Sequence, residues 1–139
     1  WGHMISLNAA NARVRRQKIS EFAGSRFVGG IDVPQKFALP SEFCEEQFLF
    51  GICSDNEIWT VVSVNHLISS VGGQVSSFQL DTETRSIFEY FGFNGIEFSD
   101  FMRFPDGRNA WFCTPDLCAL ILNILLMLEA VPCGTRLSE

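Results

Sequence analysis

The C-terminal part of the chain contains an apolar segment with the start and stop signals of a helix. Thr114 can cap the first turn, Pro115 suits the first helical position, and Asp116 complements the positive end of the helix dipole. Pro132, followed by Gly134, is a stop signal. We therefore predict a helix that begins after Thr114 and ends before Pro132.

This predicted helix has almost no polar face. Between Leu117 and Val131 only Asn123 and Glu129 are polar, so the helix must bury nearly its whole circumference against a sheet, other helices or a second chain. The apolar stretch is shorter than the roughly 20 residues that a bilayer span requires, and Asn123 interrupts it. We therefore expect a core helix and no membrane partner.

The size and composition of the chain favour a single domain. Its 139 residues are 47% hydrophobic and include 14 Phe, which is enough for one core without metals or disulfides. Residues 1–4, Trp-Gly-His-Met, resemble the remnant of an expression tag. We expect residues 5–41 to form a basic N-terminal helix and linker, and residues 42–139 to form a compact α+β body.

The N-terminal segment combines helix-forming composition with a cluster of basic residues. Residues 6–23 predict a helix, but their apolar spacing is poor. The segment is therefore either a loosely docked surface helix or an arm that orders on a partner. Glycine and proline punctuate residues 24–41, which predicts an extended connection. The basic cluster consists of Arg13, Arg15, Arg16 and Lys18.

The rest of the chain alternates β-rich runs with one helix before the C-terminal helix. The turn sequences at 54–57 and 105–108 predict two hairpins, and Asp81 is predicted to cap a helix that ends near Phe91. The element order α-β-β-β-α-β-β-α predicts an α+β domain with an antiparallel sheet of about five strands and the last helix packed on it. The predicted strands are 47–53, 58–64, 74–80, 96–104 and 109–112.

The charge of the chain is divided unevenly. Residues 1–36 carry six basic and two acidic side chains, and residues 37–139 carry four basic and fourteen acidic ones, which together give the net charge of −6. Such an acidic body repels nucleic acid phosphates and favours a basic protein surface. We therefore expect another protein as the partner, and not nucleic acid as the main one; the alternative is that the acidic residues serve only solubility.

Acidic residues cluster just before the first long strand and in the turn that follows it. Carboxylates in pairs can perform acid–base chemistry or bind cations, but no pocket signature accompanies them here. We therefore predict no metal, no cofactor and no catalytic role for them. The predicted contact surface for a basic partner consists of Glu42, Glu45, Glu46, Asp55 and Glu57.

The five cysteines provide the alternative hypothesis of an enzyme. Cys113 precedes a helix N-terminus, where backbone N–H groups can activate a thiol, and His66 is the one histidine beyond the tag remnant that could act as its base. Packing in a core explains a cysteine equally well, so we predict no enzyme. The odd number of cysteines and the missing secretory signal predict a cytoplasmic location. The cysteines are Cys44, Cys53, Cys113, Cys118 and Cys133.

Two kinds of binding protein fit these features. An immunity protein or inhibitor presents carboxylates to the basic cleft of a toxin, and the charge match raises both the association rate and the specificity. The element order, the Phe91–Gly95 helix exit and the Pro105–Arg108 turn are also similar to those of class I type III secretion chaperones. That resemblance implies a small, acidic, dimeric escort of a secreted effector. The sequence leaves monomer and homodimer open.

Overall fold

The computed structural model describes residues 7–91 and 99–129. Five α-helices occur in these residues: α1 Leu7–Arg16, α2 Ile19–Ala23, α3 Val33–Lys36, α4 Thr84–Phe91 and α5 Pro115–Glu129. Seven strands accompany them: β1 Phe27–Gly29, β2 Phe48–Cys53, β3 Trp59–Ser63, β4 His66–Val71, β5 Gln74–Gln79, β6 Phe101–Arg103 and β7 Asn109–Trp111.

Several sequence predictions lie outside the described residues. They are the tag remnant at 1–4, the helix exit after Phe91, the role of Cys133 and the stop signal at Pro132 and Gly134. Within the described residues, no helix is both long and apolar enough to cross a membrane.

The strands form two antiparallel sheets. Strands β1 to β5 pair in sequence order into a five-stranded sheet, and β6 pairs with β7 in a separate two-stranded sheet. Helix α5 follows the strands and packs against the larger sheet through a shared apolar core. The predicted α+β class, the single small domain and the C-terminal core helix are confirmed.

The members of the larger sheet differ from the predicted ones, because β1 and β4 were not predicted. Strand β4 begins three residues after the last residue of β3, and the Ser63 hydroxyl holds this tight turn by accepting the backbone N–H groups of Asn65 at 3.2 Å and His66 at 2.9 Å. This side-chain turn stands where the boundary between two strands is often marked by glycine or proline, so the sequence showed no boundary here.

The larger sheet is buried on both faces in its centre. All five residues of β3 are buried, so the sheet is covered on both sides at this strand. One face packs against the helices and β7 through side chains such as Phe50, Val62, Leu67 and Phe78. The opposite face forms a second, smaller core, which consists of Val33, Phe37, Phe43, Phe48, Trp59, Val61 and Ile68.

The N-terminal segment is docked on the domain. The predicted helix 6–23 is interrupted at Lys18, which has a φ of 58°, and this kink turns α2 relative to α1. Ala10 and Ile19 are fully buried in the main core, and both helices contact α5. Arg15, Arg16 and Lys18 stay exposed, so the basic cluster lies on the outer surface.

Residues 33–43 cover the second face of the sheet and depend on one glycine. Gly51 lies in the middle of β2, and a Cβ atom there would lie 2.5 Å from Cε2 of Phe37. Because the position has no side chain, the Phe37 ring packs directly on the strand backbone. The segment that the sequence predicted as a linker is thus part of the second core.

A row of hydroxyl groups attaches β7 to the sheet. Thr60, Ser69 and Ser76 are register partners on three adjacent strands, and all three are buried. Thr60 donates to the carbonyl of Trp111, Ser69 accepts the Trp111 N–H at 2.9 Å, and Ser76 accepts the Asn109 N–H at 3.2 Å. Buried backbone groups of β7 are therefore satisfied by side chains.

Helix α5 has the predicted start and the predicted burial. The Thr114 hydroxyl accepts the N–H of Leu117 at 3.1 Å, and Pro115 is the first helical residue. Seven of its side chains are buried, whereas Asn123 and Leu126 face solvent. The buried ones are Leu117, Cys118, Ile121, Leu122, Ile124, Leu125 and Leu128.

Helix α4 begins later than predicted. Asp81 was predicted to cap it, but the helix starts at Thr84, whose hydroxyl donates to the carbonyl of Leu80 at 2.7 Å. Residues 82 and 83 form a turn on the carbonyl of Gln79 before the helix begins. Ile87 and Phe91 of the helix are buried in the main core, and Phe88 packs against it while partly buried.

Candidate functional site

The predicted contact carboxylates lie in two separate groups. Glu42, Glu45 and Glu46, the Glu42 group, lie in the short turn before β2. Asp55 and Glu57, the Asp55 group, lie in the turn after β2. At the usual rise, the six residues of β2 span about 20 Å. The structure therefore brings together the members of each group but not the two groups.

Glu42 and Glu45 present free charge to solvent. Both side chains are exposed, on either side of Phe43, whose ring is buried in the second core. The 3-10 turn Ser41–Phe43 is held by backbone bonds, among them the N–H of Phe43 to the carbonyl of Pro40 at 2.9 Å. Among the described residues neither carboxylate forms an ion pair. Their turn is thus an anchored acidic surface.

Glu46 differs from its neighbours because it is part of a half-buried hydrogen-bond network. Its Oε1 atom accepts the Ser63 hydroxyl at 2.5 Å and lies 3.0 Å from Nδ1 of His66. Burial of the carboxyl favours a higher pKa, but the hydrogen bonds to His66 and Ser63 outweigh it, so the pKa of Glu46 lies below its ordinary value. Glu46 is therefore ionised at neutral pH.

The ionised Glu46 determines the tautomer of His66. A carboxylate oxygen only accepts, so the proton in the 3.0 Å contact belongs to Nδ1, and Nε2 of the neutral ring carries the lone pair. The ring also makes an edge contact with Phe43 at a centroid distance of 5.0 Å. His66 thus forms an ion pair with Glu46 when the imidazole is protonated.

The Asp55 group is presented by a rigid turn. Oδ1 of Asp55 accepts the backbone N–H groups of Glu57 at 2.7 Å and Ile58 at 2.9 Å. The N–H of Ser54 bonds to the carbonyl of Ile58 at 2.9 Å and closes the hairpin. Both carboxylates are exposed, and neither forms an ion pair among the described residues. This group too is a fixed acidic surface.

The structure separates the two residues that the enzyme hypothesis requires. Cys113 packs at the edge of the main core, on the helix-covered face of the larger sheet. His66 contacts Phe43, which belongs to the second core on the opposite face. Because the sheet lies between these faces, His66 is not placed to take a proton from Cys113.

Cys113 has an unusual backbone all the same. Its φ is 71°, and the N–H of Thr114 bonds across it to the carbonyl of Phe112 at 2.8 Å, which forms a γ-turn between β7 and α5. The thiol is half-buried. The turn directs the chain from the strand into the helix.

The other described cysteines carry no chemistry in common. Burial raises the pKa of the Cys118 thiol to about 11, so it stays protonated. Cys44 is exposed and Cys53 is half-buried. Across residues 7–91 and 99–129, no three Cys, His, Asp or Glu side chains come together as they would to hold a metal ion.

Arg108 forms a cluster that the sequence did not reveal. Its guanidinium lies 2.5 Å from Glu83, 2.9 Å from Asp106 and 2.9 Å from the carbonyl of Ser77, and it stacks on Phe78 at 4.6 Å. Burial opposes its charge, but the hydrogen bonds to the two carboxylates raise the pKa of Arg108. The cluster ties the β6–β7 hairpin to β5 and α4, which is a structural role.

No family model, no curated protein and no solved structure matches the chain. Inferences about its function therefore rest on its own residues.

Proposed function

We propose that this protein is a small acidic binding module that occludes a basic surface of a partner protein, as an immunity protein or inhibitor does for a toxin. The observation that supports the proposal is the Glu42 group. Two exposed carboxylates there, Glu42 and Glu45, have no ion-pair partner among the described residues and lie on a turn anchored by Phe43. Preorganised charge of this kind favours a cationic partner.

The charge of the molecule supports the same proposal. The net charge of −6 attracts a basic partner over several ångströms beyond contact. Among the described residues, Glu83 and Asp106 are bound to Arg108, and Glu46 is paired with His66. Glu42, Glu45, Asp55 and Glu57 form no ion pair in that part of the chain, a property that they share with other exposed carboxylates such as Glu89.

The chaperone alternative receives less support from the fold. The resemblance rested on the order α-β-β-β-α-β-β-α, whereas the structure has four consecutive strands, β2 to β5, before α4. The helix exit that also contributed to the resemblance lies outside the described residues. We therefore keep the inhibitor proposal, with the protein placed in the cytoplasm as part of that proposal.

Charge reversal in the Glu42 group tests the proposal. Partners are captured on the immobilised protein at low and high salt, and their association rates are then measured for wild type and for a variant with Glu42→Lys and Glu45→Lys. We expect the variant to associate at least about tenfold more slowly at low salt and to lose most of the salt dependence.

A matched control carries Glu89→Lys, which changes an exposed carboxylate on α4. It should bind almost as wild type does, because α4 packs in the main core, whereas Phe43 anchors the Glu42 group in the second core on the opposite face of the sheet. Equal association rates for all three proteins would exclude the Glu42 group as the contact surface, and capture of acidic partners only would contradict the proposal as a whole.

A further inference from the structure

The second core leaves a pocket of about 330 Å³ beside the β2–β3 turn. Phe37 and Trp59 are the buried aromatic residues of its lining, here called its floor, and Cys53 lines it as well. Lys36, Asp55 and Asn56 line it as well, and all three are exposed. The pocket thus combines an apolar base with a polar rim, at the lower end of the volumes typical of small-molecule sites.

The floor of the pocket is fixed by packing. The rings of Phe37 and Trp59 lie 5.3 Å apart at 41°, and both residues are less than a tenth exposed. Phe37 is seated on Gly51, and Trp59 pairs with Cys53 across the hairpin. An apolar group that enters the pocket therefore meets aromatic surface that does not need to rearrange.

The rim carries one charge of each sign, and the two are unpaired. Lys36 and Asp55 form no ion pair with each other or with any other described residue. The Asp55 carboxylate is held in place, because its Oδ1 accepts two backbone N–H groups. The two opposite charges line one pocket but do not pair with each other. A ligand that has one positive and one negative group can pair with both of them.

We propose that this pocket binds an apolar α-amino acid as its zwitterion. The side chain of the ligand packs on Phe37 and Trp59, its carboxylate faces Lys36, and its ammonium group faces Asp55. A ligand that has a carboxylate but no ammonium group leaves Asp55 without a cationic partner. A ligand that has an ammonium group but no carboxylate leaves Lys36 without an anionic partner. This inference goes beyond the protein-binding function and does not depend on the Glu42 group.

Calorimetric titration of the protein with L-phenylalanine and with matched analogues tests the ligand class. The analogues are 3-phenylpropionate, which lacks the ammonium group, phenethylamine, which lacks the carboxylate, and glycine, which lacks the apolar side chain. We expect saturable binding of L-phenylalanine and affinities for the analogues that are weaker by about tenfold or more, because each loses a charged hydrogen bond or the apolar contact.

Two substitutions test the assignment of the charges. Asp55→Asn keeps an oxygen that accepts the two backbone N–H groups but removes the charge, so it should weaken binding of L-phenylalanine and leave 3-phenylpropionate unweakened. Lys36→Gln should weaken L-phenylalanine and leave phenethylamine unweakened. Glu57→Gln removes a carboxylate of the same turn that does not line the pocket, and it should have no effect.

The Cys53 thiol supplies an independent readout. Bound ligand should slow alkylation of Cys53 by iodoacetamide, whereas the exposed Cys44 outside the pocket should react unchanged. The proposal is overturned if L-phenylalanine does not saturate the protein, if 3-phenylpropionate binds as tightly, or if both charge substitutions leave the affinity unaltered. Partner binding through Glu42 and Glu45 would stand in each of these cases, so the two proposals fail separately.

Discussion

The position of a side chain relative to the second core decides its role in this protein. Glu45 and Glu46 are neighbours in the sequence, yet Glu45 is exposed while Glu46 is bound to Ser63 and His66. The sequence grouped them as equal members of an acidic surface. Only one of them is free to meet a partner, and the other holds the base of the turn together.

At the residue scale, Glu46 makes the stability of the protein depend on pH. Its pKa is lower in the folded protein than the ordinary value of 4.5. The carboxylate therefore contributes stability above about pH 4.5, and this contribution is lost as the pH falls through the lowered pKa. We expect Glu46→Gln to reduce the free energy of unfolding by about 1.5–3 kcal/mol at pH 7, the usual range for hydrogen bonds to charged groups.

Urea denaturation of both proteins between about pH 3 and pH 7 measures this difference. The difference in the free energy of unfolding between wild type and Glu46→Gln should become smaller toward the acidic end of this range. Glu46 is protonated there and, like glutamine, carries no charge. Glu45→Gln is the control and should stay within about 0.5 kcal/mol of wild type, as surface substitutions do. A difference that is constant over the whole range would contradict the role of the Glu46 charge.

At the scale of elements, polar side chains of the larger sheet bind the backbone of the β6–β7 hairpin, in addition to the apolar contacts that the hairpin makes in the main core. The hydroxyl row of Thr60, Ser69 and Ser76 binds the β7 backbone, and Arg108 binds the Ser77 carbonyl. The hairpin itself was predicted from its turn sequence, whereas its position on the sheet face was not. Serine has weak β propensity, so the serines in these strands gave no sign of their role in the sequence. The contact with β7 explains why they are there.

Ser69→Ala tests this attachment. The substitution leaves the buried N–H of Trp111 without its acceptor, and it removes a partner of the Thr60 hydroxyl at 2.8 Å. We expect a loss of about 1–3 kcal/mol in the free energy of unfolding, the usual cost of a buried donor without a partner. Hydrogen exchange of the Trp111 amide should accelerate more than that of the β2–β3 pairs.

Ser77→Ala is the matched control, because the Ser77 side chain on β5 is half-buried and its hydroxyl makes no hydrogen bond among the described residues. Equal stabilities of the two alanine variants would show that the hydroxyl row does not hold the hairpin.

At the scale of the whole molecule, the two cores share one sheet. The main core lies between the sheet and the helices, and the second core lies under residues 33–43. The segment predicted as a linker therefore belongs to the folded unit. Because β2 and β3 contribute side chains to both cores, loss of one core weakens the sheet that supports the other.

Phe37→Ala tests this coupling. The side chain is 7% exposed and packs on Gly51 and Trp59, so its removal should cost about 3–5 kcal/mol. We expect unfolding to remain a single transition at lower urea, with the helix signal in circular dichroism and the near-ultraviolet aromatic signal changing together. Ala38→Gly, at an exposed position next to it, is the control. Loss of the aromatic signal before the helix signal would show that the cores unfold independently.

The sequence by itself determined the class of the fold and its central helix. Apolar periodicity and capping residues are local, so they placed α5, the β2–β3 hairpin and both hairpin turns. It also grouped five carboxylates as a surface, of which Glu46 is instead half-buried on Ser63 and His66. Strand β1 escaped prediction because its partner β2 lies further along the chain, and β4 escaped because a side-chain turn at Ser63, without glycine or proline, separates it from β3.

Tertiary structure alone decided which residues act together. It divided five carboxylates between the two ends of β2, placed Cys113 and His66 on opposite faces of the sheet, and brought Lys36 beside Asp55 and Trp59 in one pocket. Each of these relations joins positions that are far apart in the chain. Contacts of that kind depend on packing and strand register, and both of these form only when the whole chain has folded.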